Sequence, residues 1–102
     1  MNPALFFTSL AESDVRSAAS WYEDQRKALS DEFRADLDRV TATILENPQA
    51  FPKIRGRCRR ALMKRFPYGV FYLLEARGVV VLAVTHTSRN PKTWQSRLRI
   101  VR

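Results

Sequence analysis

Val15, Ala18, Ala19 and Tyr22 recur at i, i+3, i+4 and i+7, a spacing that gathers apolar side chains on one face of a helix. It predicts a helix over about 10–28, opened by Ser9-Leu-Ala-Glu12 at capping-box spacing. The short apolar run ahead of it, PALFFT over 3–8, reads as a strand. Beyond it Phe33, Leu37, Val40 and Ile44 repeat at i, i+4, i+7 and i+11, a second apolar stripe. Ser30 is the expected cap of that helix, with Asp31 and Glu32 at its positive end, and Asn47-Pro48 its stop. With helices of about 18 and 16 residues and so short a link, the pair should form an antiparallel hairpin.

After residue 47 the pattern changes. NPQAFPKIRG, 47–56, holds two prolines and a glycine and reads as a surface loop. Three apolar runs with short turns follow: CRRALMKRF at 58–66, GVFYLLE at 69–75 and VVVLAVTH at 79–86. Pro67-Tyr68-Gly69 and Ala76-Arg77-Gly78 are turns short enough for an antiparallel meander. Asn90-Pro91 supplies a cap and a first-turn proline for a last helix, 91–98. The expected architecture is α+β in the order β-α-α-β-β-β, one domain over 1–102, with an N-terminal helical hairpin on one face of a mainly antiparallel sheet.

Charge alters this picture more than composition does. At 45% apolar and 27% charged the chain is ordinary for a soluble domain. Residues 1–52 carry five Lys/Arg and nine Asp/Glu, whereas residues 53–102 carry thirteen Lys/Arg and only Glu75. The halves, −4 and +12, make up the overall +8 and point to an anionic partner for the second half. No apolar run approaches the roughly 18 residues of a membrane span, and MNPALFFTSLAESD lacks the basic start of a signal peptide. Cys58, alone, cannot form an internal disulfide, which fits a reducing cytoplasm. Without Cys/His clusters at metal spacing or a glycine-rich phosphate loop, no metal or cofactor is expected.

Four segments in order, WYEDQ (21–25), NPQAFP (47–52), RRALMKRFPYGVFY (59–72) and HTSRNPKTWQSR (86–97), resemble the RelE/ParE superfamily of bacterial toxins over nearly the whole chain. These are the toxin halves of type II toxin–antitoxin modules, also called plasmid stabilisation proteins. The resemblance implies growth inhibition, neutralisation by a cognate acidic antitoxin, and one of two activities. ParE-like members bind DNA gyrase with no known catalysis; RelE-like members cut messenger RNA on the ribosome.

The residues bear on that choice. RNA transesterification needs a base for the 2′-OH, a cation for the pentavalent phosphate and an acid for the leaving oxygen. Arg60, Lys64, Arg65, Tyr72, His86 and Arg89 are the candidates, His86 and Arg89 foremost. In the nucleases the sheet carries a pattern like YRLVY; matched to Tyr68-Gly69-Val70-Phe71-Tyr72, Gly69 stands where a phosphate-stabilising arginine should be. That departure favours the gyrase-directed branch. His86 at a strand end, Cys58 in a strand, and Phe66, Phe71, Trp21 and Tyr22 all have plain structural readings as well. Tyr68 and Tyr72 should share one face of their strand. The residues expected to meet antitoxin or target are Arg59, Arg60, Lys64, Arg65, Tyr68, Arg89, Trp94 and Arg97, with Trp94 wedging the last helix and Arg97 on its exposed side. A third reading is a small basic nucleic-acid-binding module, which lacks a recognised reader motif.

Overall fold

The computed structural model describes residues 4–99 and the side chains of 4–98. In chain order the elements are β1 (Ala4–Phe7), α1 (Ser9–Gln25), α2 (Lys27–Glu46), β2 (Lys53–Arg55), β3 (Cys58–Leu62), β4 (Tyr68–Glu75), β5 (Gly78–His86) and α3 (Lys92–Gln95), closed by a 3-10 turn at Ser96–Arg99. The strands form one sheet in the order β1-β5-β4-β3-β2, antiparallel except where β1 runs parallel to β5. The fold is α+β, as the pattern implied. Pro3, expected at the head of β1, lies outside the described residues.

Local chemistry shifts several boundaries. The cap of α1 is Thr8 rather than Ser9: Thr8 is extended, and its hydroxyl accepts the Ala11 amide at 3.1 Å. Its own amide donates to the Val81 carbonyl at 3.0 Å, which anchors the entry to α1 on β5. The helices meet at one extended residue, Arg26, so α2 begins at Lys27 and Ser30 lies inside it. The early start places Leu29 against the core, where a cap at Ser30 would have left it in the link. The expected loop 47–56 contains strand β2. The strand expected over 58–66 stops at Leu62 because the amides of Arg65 and Phe66 go to a carboxylate of α2, not to a ladder. At the β4–β5 turn Gly78 has φ 135°, and a Cβ there would overlap the Ala4 carbonyl.

Both sheet faces are covered. The helix hairpin packs Ala11, Val15, Ala18, Phe33, Leu37, Val40 and Ile44 against Val70, Tyr72, Val79, Val81 and Val84. On the far face Cys58, Phe71, Leu73, Val80, Leu82 and Ala83 lie under Trp94, whose ring stacks on Phe71 at 4.7 Å. Phe33 and Ile44 are fully buried, each worth about 2–3 kcal/mol of apolar transfer. Along β5 the alternation breaks once. Phe71 pairs with Ala83 and Tyr72 with Val81, so Leu82 is an extra, bulged residue. Leu82 and Ala83 therefore share the far face, and Val84 returns to the helix side.

Candidate functional site

A groove of about 440 Å³ opens between α1 and the end of β5. Trp21 and Leu10 of α1 form one wall; Tyr68, His86 and Arg89 form the other, with Asp14 and Arg97 at its base. Tyr68 and His86 are cross-strand partners, their rings edge to face at 5.4 Å. Behind Tyr68 lies an aromatic cluster with Tyr22, Phe33 and Phe66. Burial, then the neighbouring Tyr22, pushes the Tyr68 hydroxyl up to about 12 despite Arg89, so it remains a protonated donor.

His86 is held by its own turn. Its Nδ1 accepts the Ser88 amide at 3.0 Å, and the Ser88 hydroxyl lies 2.8 Å from it. A neutral ring with Nδ1 engaged as acceptor carries its proton on Nε2. Neither nitrogen of that form is a free base. Arg89 follows on an exposed turn, its amide bonded to the His86 carbonyl at 3.0 Å.

The remaining nuclease candidates do not join this groove. Tyr72 is fully buried and donates to the Pro48 carbonyl at 2.7 Å. Burial raises its hydroxyl above the ordinary phenol range. Arg65 pairs with Glu32 at 3.0 Å, and exposed Lys64 lines a separate groove against α2 with Leu62 and Val40. Arg60 points to the other face of the sheet, its alkyl stem packed over Gly69. Gly69 also turns away from His86: a Cβ there would meet the Phe71 ring at 3.2 Å and Arg60 at 3.4 Å. An arginine at 69 would therefore project away from the imidazole.

The residues expected to meet antitoxin or target are likewise divided. Arg59 turns back to hold the carbonyls of Gln49 and Phe51 at 3.1 and 2.6 Å, whereas its neighbour Arg60 faces the opposite side, as strand alternation requires. Trp94 is buried on Phe71 and wedges α3 against the sheet as expected. Arg97 is not on an exposed side. It is 9% exposed, grips Asp14 at 2.6 and 3.1 Å, and donates to the Leu82 carbonyl at 3.0 Å. Trp21, expected to bury the hairpin, is 57% exposed. Cys58 is buried, its thiol pushed up to about 11 by burial, which leaves little thiolate for nucleophilic work.

Two carboxylates escaped the sequence reading. Asp36, fully buried, accepts the amides of Arg65 and Phe66 at 2.8 and 3.2 Å. Asp14 accepts the Val84 amide at 3.0 Å as well as Arg97. Each lies on the apolar phase of its helix, Asp14 three residues after Ala11 and Asp36 three after Phe33, and that phase was the available signal. Among the described residues no group of three His, Cys, Asp or Glu can hold a metal, and no helix is long and apolar enough to cross a membrane.

The family described as "ParE toxin of type II toxin-antitoxin system, parDE" matches residues 5–91. A solved structure titled "Chromosomal ParDE TA system from P. aeruginosa" superposes with a TM-score of 0.73 at 12% identity, covering 82% of this chain and 95% of that one. Among curated proteins nothing matches.

Proposed function

The chain belongs to the ParE toxin family of type II toxin–antitoxin systems, and from that premise we propose that it arrests growth by binding DNA gyrase and blocking replication, until a cognate acidic antitoxin neutralises it. The observation that carries the reading is the family match over 5–91. The dispersal of the nuclease candidates supports it: Tyr72 is sealed, Arg60 and Gly69 face away, and Nδ1 of His86 is engaged by Ser88. On this reading the protein works in the cytoplasm by contact, without catalysis of its own and without a cofactor.

Acidic groups of the antitoxin meet Lys64, Arg65 and Arg89, with Tyr68 adding apolar area and Arg60 contributing from the far face. Arg59, Trp94 and Arg97 act from within, by fixing the loop after α2 and the C-terminal turn on which those contacts depend. Removal of one charge from such a rim changes association rate and salt dependence before it changes residence time.

DNA supercoiling by purified gyrase tests the proposal. Added toxin should inhibit supercoiling or trap cleaved DNA, and antitoxin should reverse it. Unimpaired supercoiling at large molar excess sinks the gyrase reading. A ribosome-dependent endonuclease is the second reading, favoured by one observation: His86, Arg89 and Tyr68 line a single groove. It requires His86→Ala and Arg89→Ala to abolish message cleavage and toxicity while antitoxin binding survives.

A further inference from the structure

We propose that the β2–β3 hairpin is a phosphate-backbone contact through which this protein binds double-stranded DNA without reading its bases. β2 is the outermost strand on the side of the sheet away from β1 and the His86 groove. Ile54 packs onto the far-face core, while Lys53 and Arg55 on either side of it are exposed, with a register shift between them that sets Lys53 opposite Arg59 and Arg55 opposite Cys58. Gly56, at φ 54°, makes the turn, and Arg57 stands exposed beside it. Three exposed cations thus flank the turn of one short hairpin.

None of the three has a carboxylate within salt-bridge distance among the described residues. The sequence explains why: from Asn47 to Leu74 it contains no Asp or Glu. The adjacent Arg59 spends its guanidinium on backbone carbonyls, and the buried Nε of Arg60 has no partner. Unmatched like charges repel one another and favour an external polyanion.

The surroundings select the kind of polyanion. A protein partner anchors on buried apolar or aromatic side chains at the centre of its interface. Among the described residues the exposed large apolar side chains are Phe6, Leu10, Trp21 and Leu62; only Leu62 belongs to the hairpin, at the end of β3 away from the Gly56 turn, and none lies beside Lys53, Arg55 or Arg57. Single-stranded nucleic acid needs aromatic platforms for stacking, and the hairpin offers none. What remains is a duplex met through its phosphates, where each neutralised phosphate releases counterions. This inference is independent of the gyrase reading, and it is tested without gyrase.

Fluorescence anisotropy of the full chain with a labelled DNA duplex of arbitrary sequence provides the test. Three phosphate contacts give a slope of log affinity against log salt of about −2.7, or roughly 40-fold weaker binding between about 50 and 200 mM salt. Lys53→Glu, Arg55→Glu and Arg57→Glu together should erase that dependence. Arg16→Glu, Arg34→Glu and Lys92→Glu, the same change in net charge on other exposed positions, should leave most binding intact. Should the hairpin triple fail to fold by circular dichroism, Arg57→Glu alone should lower the slope by about 0.9. Equal losses in the two triple variants, no DNA binding by the unaltered chain at low salt, or tighter binding of duplex RNA or polyglutamate would each overturn the proposal.

Discussion

Asp14 and Arg97, 83 positions apart, meet in a two-pronged ion pair that caps the edge of β5 where β1 has ended. The carboxylate accepts the Val84 amide and the guanidinium donates to the Leu82 carbonyl, so the pair replaces a missing neighbouring strand. It protects an edge that would otherwise offer itself to other chains. Both side chains are largely buried, at 8% and 11% exposure.

Loss of either partner leaves a buried charge and an unmet backbone group. Asp14→Ala and Arg97→Ala should each lower stability by about 3–5 kcal/mol. Urea unfolding of both single variants and the double gives the check, with the double far less than additive. A single variant that unfolds at the parent's midpoint would mean the pair contributes nothing.

Asp36 ties the β3–β4 turn to α2 through two amides. Asp36→Ala orphans both and should cost about 2–4 kcal/mol, whereas Asp36→Asn, which keeps an acceptor oxygen, should cost less. Amide hydrogen exchange supplies the local readout: Arg65 and Phe66 lose protection in the alanine variant. Unchanged protection there would show that the turn is held by something else.

Gly69→Ala should destabilise modestly, by about 1 kcal/mol, because Phe71, stacked under Trp94, cannot easily yield to the new methyl. Gly69→Arg should not produce an RNA-cleaving enzyme, since the arginine projects opposite His86. Appearance of ribosome-dependent cleavage in that variant would refute the face assignment.

The Cys58 thiol ionises near pH 11 in the folded chain and near 9.0 when released. The unfolded chain therefore loses this proton first. Stability should be intact below about pH 9 and fall as pH rises from 9 to 11. Tyr68, raised from 10.0 to about 12, extends the decline at the upper end. Urea midpoints across this range measure the effect, and Cys58→Ala should remove its first part. A profile that starts falling at the same pH without the thiol would assign the loss elsewhere.

Much of the fold was readable because its signals are local. The stripe from Phe33 to Ile44 and the β4–β5 runs with their glycine turn need only neighbouring residues to be recognised. Asp14, Asp36 and Arg97 were opaque for the opposite reason, since each acts on groups 15 to 83 positions away. β2 has three residues and one apolar side chain, too little for a periodic signal. Trp21 sits beside the stripe that Tyr22 occupies, and one step around the helix carried it into solvent. The candidate site scattered because chain proximity was read as spatial proximity: Arg59 and Arg60 are neighbours in sequence and on opposite sides of a sheet. Strand alternation could have separated them in advance.

The surplus residue at Leu82 works as an expansion joint. An unbroken pleat through the same nine residues of β5 would turn Val84 and His86 beneath Trp94 and send Ala83 and Thr85 toward α1. Instead the strand takes up one residue of slack between two fixed points, the β1 pairing behind it and the Asp14 contact ahead. Loss of Leu82 alone would restore a plain pleat and leave His86 facing the same way. Change of length by one is thus cheapest at this spot, and the side of the sheet on which the histidine is displayed survives it.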